Sequence, residues 1–172
     1  MRPLPAVLLV LPMLGACSGA PLAQPSNHST PPNSVQANAR VVSITDGDTI
    51  TIGIGGTKEK LRLIGIDTPE TKKPDTPVQC YGPEATAYMT ALLPVGTPLH
   101  IERDVVARDK YGRLLAYVYR VADHTFINLD IIRHGYARLL TIPPNDAHVE
   151  DFTTAVQAAQ HDHIGLWAKC TG

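Results

Sequence analysis

The chain has almost no net charge, few aromatic residues and no apolar run long enough to span a membrane, and each shortage excludes something. Its 15 basic residues face 16 acidic ones, for a formal charge of -1. A protein that grips nucleic acid by bulk electrostatics carries a basic footprint, so any such grip here must come from a few placed Arg and Lys side chains. One Trp and two Phe leave Val, Ile, Leu and Ala to fill the core, a composition suited to short strands and a few helices. The apolar run from Leu4 to Gly15 falls short of the roughly 20 residues a transmembrane helix needs. No CxxC spacing accompanies the three cysteines, and none of the seven histidines is paired at a helical metal-ligand spacing, which disfavours a zinc site. No internal repeat is visible.

What remains at the N-terminus is a sorting signal. Arg2 precedes the apolar run, which closes in Leu14-Gly15-Ala16-Cys17. That ending resembles the lipobox of bacterial lipoproteins, in which the cysteine is acylated and becomes the new N-terminus; the bland alternative is an ordinary cleavable signal. Residues 1–16 are thus expected to be a lipoprotein signal peptide, with Cys17 lipidated and the protein anchored to the cell envelope. Ser18 gives no inner-membrane retention signal, which points to the outer membrane where the host has two. Residues 17–39, rich in Pro, Ser, Asn and Gln, cannot bury enough apolar surface to offset their ordering entropy and read as a disordered tether. With Cys17 acylated, Cys80 and Cys170 are an even pair in an oxidising space, and a disulfide between them is expected rather than two buried thiols.

The folded domain is expected over residues 40–172. Val41 to Ile44 forms a short strand that stops at Thr45-Asp46-Gly47-Asp48. Thr49 to Ile54 and Glu59 to Ile66 form two more strands around the Gly55-Gly56 turn, giving an antiparallel meander. Gly82-Pro83-Glu84 starts a helix that runs to about Leu93 and buries Ala85, Tyr88, Met89 and Leu92. Strands follow at Pro98 to Arg103 and Leu114 to Arg120. A short helix spans Asn128 to His134, and a last one runs from about Ala147 to His161, burying Val149, Phe152 and Val156. The fold class is α+β dominated by β: a five-stranded barrel of the OB type with about three helices. His161 and His163 are expected at the surface.

Acids and cations gather at the strand ends. Asp46 and Asp48 flank Gly47, and Asp67 and Glu70 bracket Thr68-Pro69 after the third strand. Either turn alone reads as a turn former; together, on one barrel rim, they offer hard oxygen ligands to Ca2+ or Mg2+. Pro69 restricts Thr68 to extended geometry and so fixes where its carbonyl points. Arg62 lies inside a strand built for burial and needs an anionic partner, either Asp67 or Glu59 among structural options, or a substrate phosphate. Arg113 closes the turn Asp109-Lys110-Tyr111-Gly112-Arg113. Two guanidinium groups beside a divalent cation suit phosphoryl transfer, because each can bind phosphate bidentately.

Asp46-Gly47-Asp48-Thr49, Arg62 with Asp67-Thr68-Pro69-Glu70, Tyr81-Gly82-Pro83-Glu84-Ala85 and the turn 109–113 together resemble the staphylococcal nuclease (thermonuclease) family. The likeness runs from Val41 to Trp167. It implies an OB-fold enzyme that uses Ca2+ to cleave DNA and RNA at the 5′ P–O bond, leaving 3′-phosphates. By position it assigns the ion to Asp48, Asp67 and the Thr68 carbonyl, the attacking water to Glu70, and the phosphate with its developing charge to Arg62 and Arg113. Lys110 and Tyr111 match residues that contact the other phosphate of a bound nucleotide. One departure stands out: where the family places tyrosines near the base, this chain reads Ala137-Arg138-Leu139-Leu140-Thr141-Ile142-Pro143-Pro144. The expected partners are DNA and RNA, and through its lipid a membrane; no protein partner is evident, and a monomer is expected. The competing classes are an inactive nucleic-acid-binding or protein-interaction barrel and a calcium-binding structural protein, and neither explains why Asp48, Arg62, Asp67, Glu70 and Arg113 are all present.

Overall fold

A computed structural model of the chain describes residues 36–72 and 76–170. The signal segment, Cys17 and the tether as far as Val35 lie outside the described residues. The tether's last residues do not: Gln36 to Ala39 already belong to the fold, because Asn38 donates to the Ile101 carbonyl at 2.9 Å and accepts the Ile101 N–H at 2.8 Å. The first strand accordingly begins two residues earlier than expected, at Ala39, and ends two later, at Asp46.

In chain order the elements are β1 (Ala39–Asp46), β2 (Thr49–Ile54), β3 (Thr57–Leu63), β4 (Gly65–Asp67), α1 (Gly82–Leu92), β5 (Pro98–Glu102), β6 (Leu114–Arg120), β7 (Thr125–Phe126), α2 (Ile127–Arg133), β8 (Arg138–Leu140), α3 (Val149–His161) and the single turn α4 (Leu166–Lys169). The strands β3-β2-β1-β5-β6 lie side by side, and β3 then pairs parallel with β6 through Leu61↔Leu114, Arg62↔Leu115 and Leu63↔Ala116. That pairing closes a five-stranded mixed barrel, the OB architecture expected. Closure removes the sheet edges that would otherwise be open to foreign strands. Among the described residues no helix is long and apolar enough to cross a membrane.

The barrel is filled by alternating aliphatic side chains, with Ile50, Ile52, Leu61, Leu63 and Leu99 fully enclosed. Met89 and Leu93 of the α1 segment, Ile127, Ile131 and Ile132 of α2, and Phe152 of α3 cap this core. Tyr88, Leu92 and Val149, expected as core residues, are only half-buried. Asn128 is wholly buried yet satisfied: its Nδ2 donates to the Ile64 carbonyl at 2.8 Å and its Oδ1 accepts the Val118 N–H at 2.9 Å. It bridges the segment after β3 to β6, next to the parallel seam. An apolar side chain there would leave a carbonyl and an amide unpaired in the core.

The expected third strand breaks in two. Gly65 takes φ +80°, and a Cβ there would lie 2.3 Å from the Phe152 ring, so the chain turns out of the barrel. β4 leaves the main sheet and pairs with β8 instead, Asp67 facing Arg138. The Cys80–Cys170 disulfide is formed and joins positions 90 residues apart. His161 and His163 are exposed, as expected.

Candidate active site

The turn from β1 to β2, strand β3, the end of β4 with the loop after it and the turn before β6 converge on one open concavity of about 650 Å³, lined by Asp46, Asp48, Lys60, Arg62, Asp67, Thr68, Glu70, Lys72, Tyr111 and Arg113 among others. Side chains from four separated stretches of sequence meet there. Gly47 makes the meeting possible, since a Cβ at that position would lie 2.9 Å from the Thr68 side chain.

Arg62 is the centre of the arrangement. Its side chain is 12% exposed, with one guanidinium nitrogen 3.2 Å from Asp48 Oδ2 and the other 2.8 Å from Asp67 Oδ1. It also donates to the Ile66 carbonyl at 2.8 Å, which fixes the fork in place. Of the two structural partners considered for Arg62, Asp67 is the one it meets; Glu59 pairs with Arg108 at 2.9 Å. Asp48 is itself tightly held. Its Oδ2 accepts the Thr68 N–H at 2.9 Å and the Thr68 hydroxyl at 3.0 Å, while Oδ1 accepts the Thr49 hydroxyl at 2.9 Å.

Asp46 is buried beside Asp48 and accepts hydrogen bonds from the hydroxyls of Thr71 and Thr86. Burial holds its pKa above the ordinary carboxylate value; the Thr71 hydroxyl opposes the rise, and contact with Glu70 and the Asp48 charge add to it. Asp67 is raised too, by burial first and by the charges of Asp48 and Glu70, against the pull of Arg62 and Arg138. At Asp67, desolvation and the repulsion of neighbouring acids outweigh the pull of two guanidinium groups. Glu70 turns one carboxylate oxygen back onto its own loop, accepting the N–H groups of Thr71 at 3.0 Å and Lys72 at 2.9 Å. Among the described residues, no three His, Cys, Asp or Glu side chains are already drawn together as a ligand set.

Arg113 enters from the other wall. Asp109 accepts its Nε at 2.6 Å and also its backbone N–H, so the turn 109–113 is wrapped around one carboxylate. Burial pushes the Asp109 pKa up, but the Arg113 hydrogen bond and the amides of Arg113 and Tyr111 outweigh it, and the value lies below the ordinary one. Tyr111 projects outward, 72% exposed, with Lys110 Nζ 5.1 Å and the Arg113 guanidinium 5.4 Å from its ring centroid. Lys110, Tyr111 and Arg113 therefore stand together.

Arg62, Tyr111 and Arg113 also border a second, more apolar concavity of about 430 Å³, whose wall includes Leu115, Leu140, Ile142 and Pro143. This is where the tyrosine-free stretch goes: its first half is β8, unforeseen in the sequence, and its second half lines the hollow with aliphatic groups. The nearest aromatic in sequence, Tyr136, stacks on Tyr88 at 4.1 Å and on Tyr81 at 5.4 Å. Lys60 and Lys72, which no motif marks, also line the charged concavity. Lys60 alternates with buried Leu61 on β3, and that phase was the available signal.

Known proteins bear out the likeness carried by this geometry. The profile of the family described as staphylococcal nuclease homologue matches residues 60–169. The thermonuclease of Staphylococcus intermedius is 41% identical over 129 residues, covering 75% of this chain and 75% of that protein. The thermonuclease of Staphylococcus hyicus is 36% identical over 137 residues, covering 80% and 79%. Endonuclease YncB of Bacillus subtilis is 40% identical over 126 residues, covering 72% of this chain and 58% of the endonuclease. With a barrel of the right topology, a charged rim built from the family's motifs and a match across most of its length, the chain belongs to the staphylococcal nuclease family.

Proposed function

We propose that this protein is a calcium-dependent nuclease that hydrolyses phosphodiester bonds of DNA and RNA at the 5′ P–O bond and leaves 3′-phosphate ends. The observation that carries the reading is the single concavity in which Arg62, braced by Asp48 and Asp67, faces the same space as Glu70 and Arg113. A phosphodiester is an anion attacked by water, so its site must bind the phosphate, present the water and stabilise a crowded, more highly charged transition state. Arg62 and Arg113 supply ten N–H donors between them, about the right complement for the non-bridging oxygens after their own carboxylate bonds are met. Glu70 accepts a hydrogen bond from the attacking water and its proton as the water oxygen bonds to phosphorus. The 5′ oxygen leaves with the bonding electron pair and takes a proton from solvent, to which Glu70 then returns the proton it accepted.

Asp48, Asp67 and the Thr68 carbonyl would hold the ion. An all-oxygen donor set suits a hard divalent cation, and the raised pKa values of Asp46 and Asp67 mark a place where added positive charge is favourable. When bound, such an ion supplies charge neutralisation and polarises phosphate and water. Lys110 and Tyr111 take the neighbouring phosphate of the strand.

Plasmid nicking in Ca2+ and in chelator tests the activity, and sensitivity of the new 3′ ends to phosphatase before polymerase extension tests the product. Cleavage unaffected by chelator would remove the calcium, and DNA binding without cleavage under any divalent cation would make the chain a binding module.

The envelope anchoring read from Leu14-Gly15-Ala16-Cys17 belongs to the same proposal: a lipidated Cys17, a tether, and a monomeric nuclease domain held at a membrane, the outer one where there are two. Several acyl chains at one terminus anchor stably where one alone binds only marginally. Mass spectrometry of the mature N-terminus decides it, and an unacylated chain starting beyond Cys17 would leave an ordinary secretion signal.

A further inference from the structure

Glu70 lies beyond the end of β4, so loop contacts rather than a sheet fix its backbone. Two of those contacts come from one residue. Gln79 accepts the Glu70 N–H on its Oε1 at 2.9 Å, and its own backbone N–H donates to the Glu70 carbonyl at 2.9 Å. Because the Glu70 carboxylate bonds to the next two backbone amides, its direction follows that backbone. Moving the clamp moves the carboxylate.

Gln79 is in turn anchored on both sides. Its carbonyl accepts the Gly82 N–H at 3.0 Å at the start of α1. Its neighbour Cys80 is bonded to Cys170, whose N–H donates to the carbonyl of the buried Leu166 at 2.9 Å. Gln79 and Cys80 are both exposed, so water competes for the clamp's hydrogen bonds and they hold poorly unless the chain is constrained. The disulfide provides that constraint by tying the clamp to the C-terminal segment.

We propose that Gln79 is a positioning residue for Glu70 and that the Cys80–Cys170 bridge keeps Gln79 in register, so that catalytic rate depends on the bridge. The inference rests on Glu70 acting on the attacking water. It is tested on the purified chain by kcat and KM for an oligonucleotide at saturating Ca2+, with Tm recorded for each variant and assays run where all are folded. Gln79→Met, which keeps length but loses the acceptor, should lower kcat about ten- to a hundredfold with little change in KM, the scale expected when a catalytic group is displaced by an ångström. Gln79→Glu, which keeps the acceptor, should recover most of the loss. Cys80→Ser with Cys170→Ser should lower kcat by a similar factor, and adding Gln79→Met to that pair should cost little more, since the two changes break one linkage. Wild-type kcat in Gln79→Met, a Gln79→Glu variant as slow as Gln79→Met, or losses that multiply in full would each overturn the proposal. Glu70→Gln separates the two levels: at wild-type rate it removes the role of Glu70 and this inference with it, whereas a slow Glu70→Gln beside a fast Gln79→Met overturns the positioning alone.

Discussion

The two concavities that meet at Arg62, Tyr111 and Arg113 are built on opposite principles. In the charged one, directional bonds tie Arg62 to Asp48 and Asp67 and tie Asp48 to Thr68 and Thr49, so a change at one position is felt by its partners. In the apolar one, Leu115, Leu140, Ile142 and Pro143 offer non-directional contact, which tolerates exchange while volume is kept. Chemistry on a phosphate dictates residue types; contact with whatever sits beside the phosphate does not. This is why the motifs around the acids read clearly while the stretch 137–144 departs from the family pattern.

Substitutions on the charged side should have the largest effects. Glu70→Gln is expected to lower kcat by about 10² to 10⁴, the range of a lost general base, and Arg113→Ala by about 10² to 10³, that of a lost oxyanion donor. Both variants should keep the wild-type unfolding midpoint in urea, because neither group is in the core; wild-type rates in folded protein would remove the assignment. Arg62→Met should fail in both respects, losing activity and also about 2 kcal/mol of stability. That is less than the roughly 3 to 5 kcal/mol of a fully buried pair, because Asp67 stays partly hydrated. An Arg62→Met protein as stable as wild type would mean that the carboxylates do not need it.

A third test uses pH. Asp46 and Asp67 titrate above their ordinary values, so the fold favours their neutral forms: this stability is present below the unfolded-state pKa and lost as pH rises through the folded values. In chelator, the contribution of these two groups to Tm should therefore fall as pH rises from about 4. Ca2+ should restore Tm at neutral pH and do little in acid, and Asp46→Asn in chelator at neutral pH should melt above wild type. A Ca2+ effect equal at both pH values would contradict the charge argument. The smallest effect belongs to the apolar side. Ile142→Tyr, by offering a stacking face, should tighten a nucleoside bisphosphate by about 1 kcal/mol, the low end for one base, with kcat unchanged; isothermal titration against the wild type checks it, and a drop in kcat would show that the two regions are not independent.

Much of this was legible in the sequence, for identifiable reasons. Strand β6 has its expected limits because Leu114 to Arg120 is an uninterrupted β-prone run bounded by a turn. The Cys80–Cys170 pairing followed from parity. The split of β3 from β4 was not legible: Leu63-Ile64-Gly65-Ile66 reads as one strand until Phe152, 87 positions on, is known to occupy the space above Gly65. Nor was β8, three residues long and defined by its partner rather than by any periodicity of its own. At the site, the gathering of Arg62, Asp48 and Asp67 on one rim was readable. The choice of Asp67 over Glu59 as the Arg62 partner was not, since it depends on Arg108 reaching Glu59 from a distant loop.

The parallel seam between β3 and β6 has a consequence for when the enzyme can be active. It joins Leu61–Leu63 to Leu114–Ala116, and the buried Asn128 that bridges its two sides comes later still. Pairings between distant segments form late because their loop-closure entropy must be met first. Arg62 stands on one side of this seam and Arg113 directly before the other, so the two guanidinium groups are strangers until the barrel shuts. A growing polypeptide with Arg62 already made therefore holds no assembled site until the segment carrying Arg113 has joined the barrel.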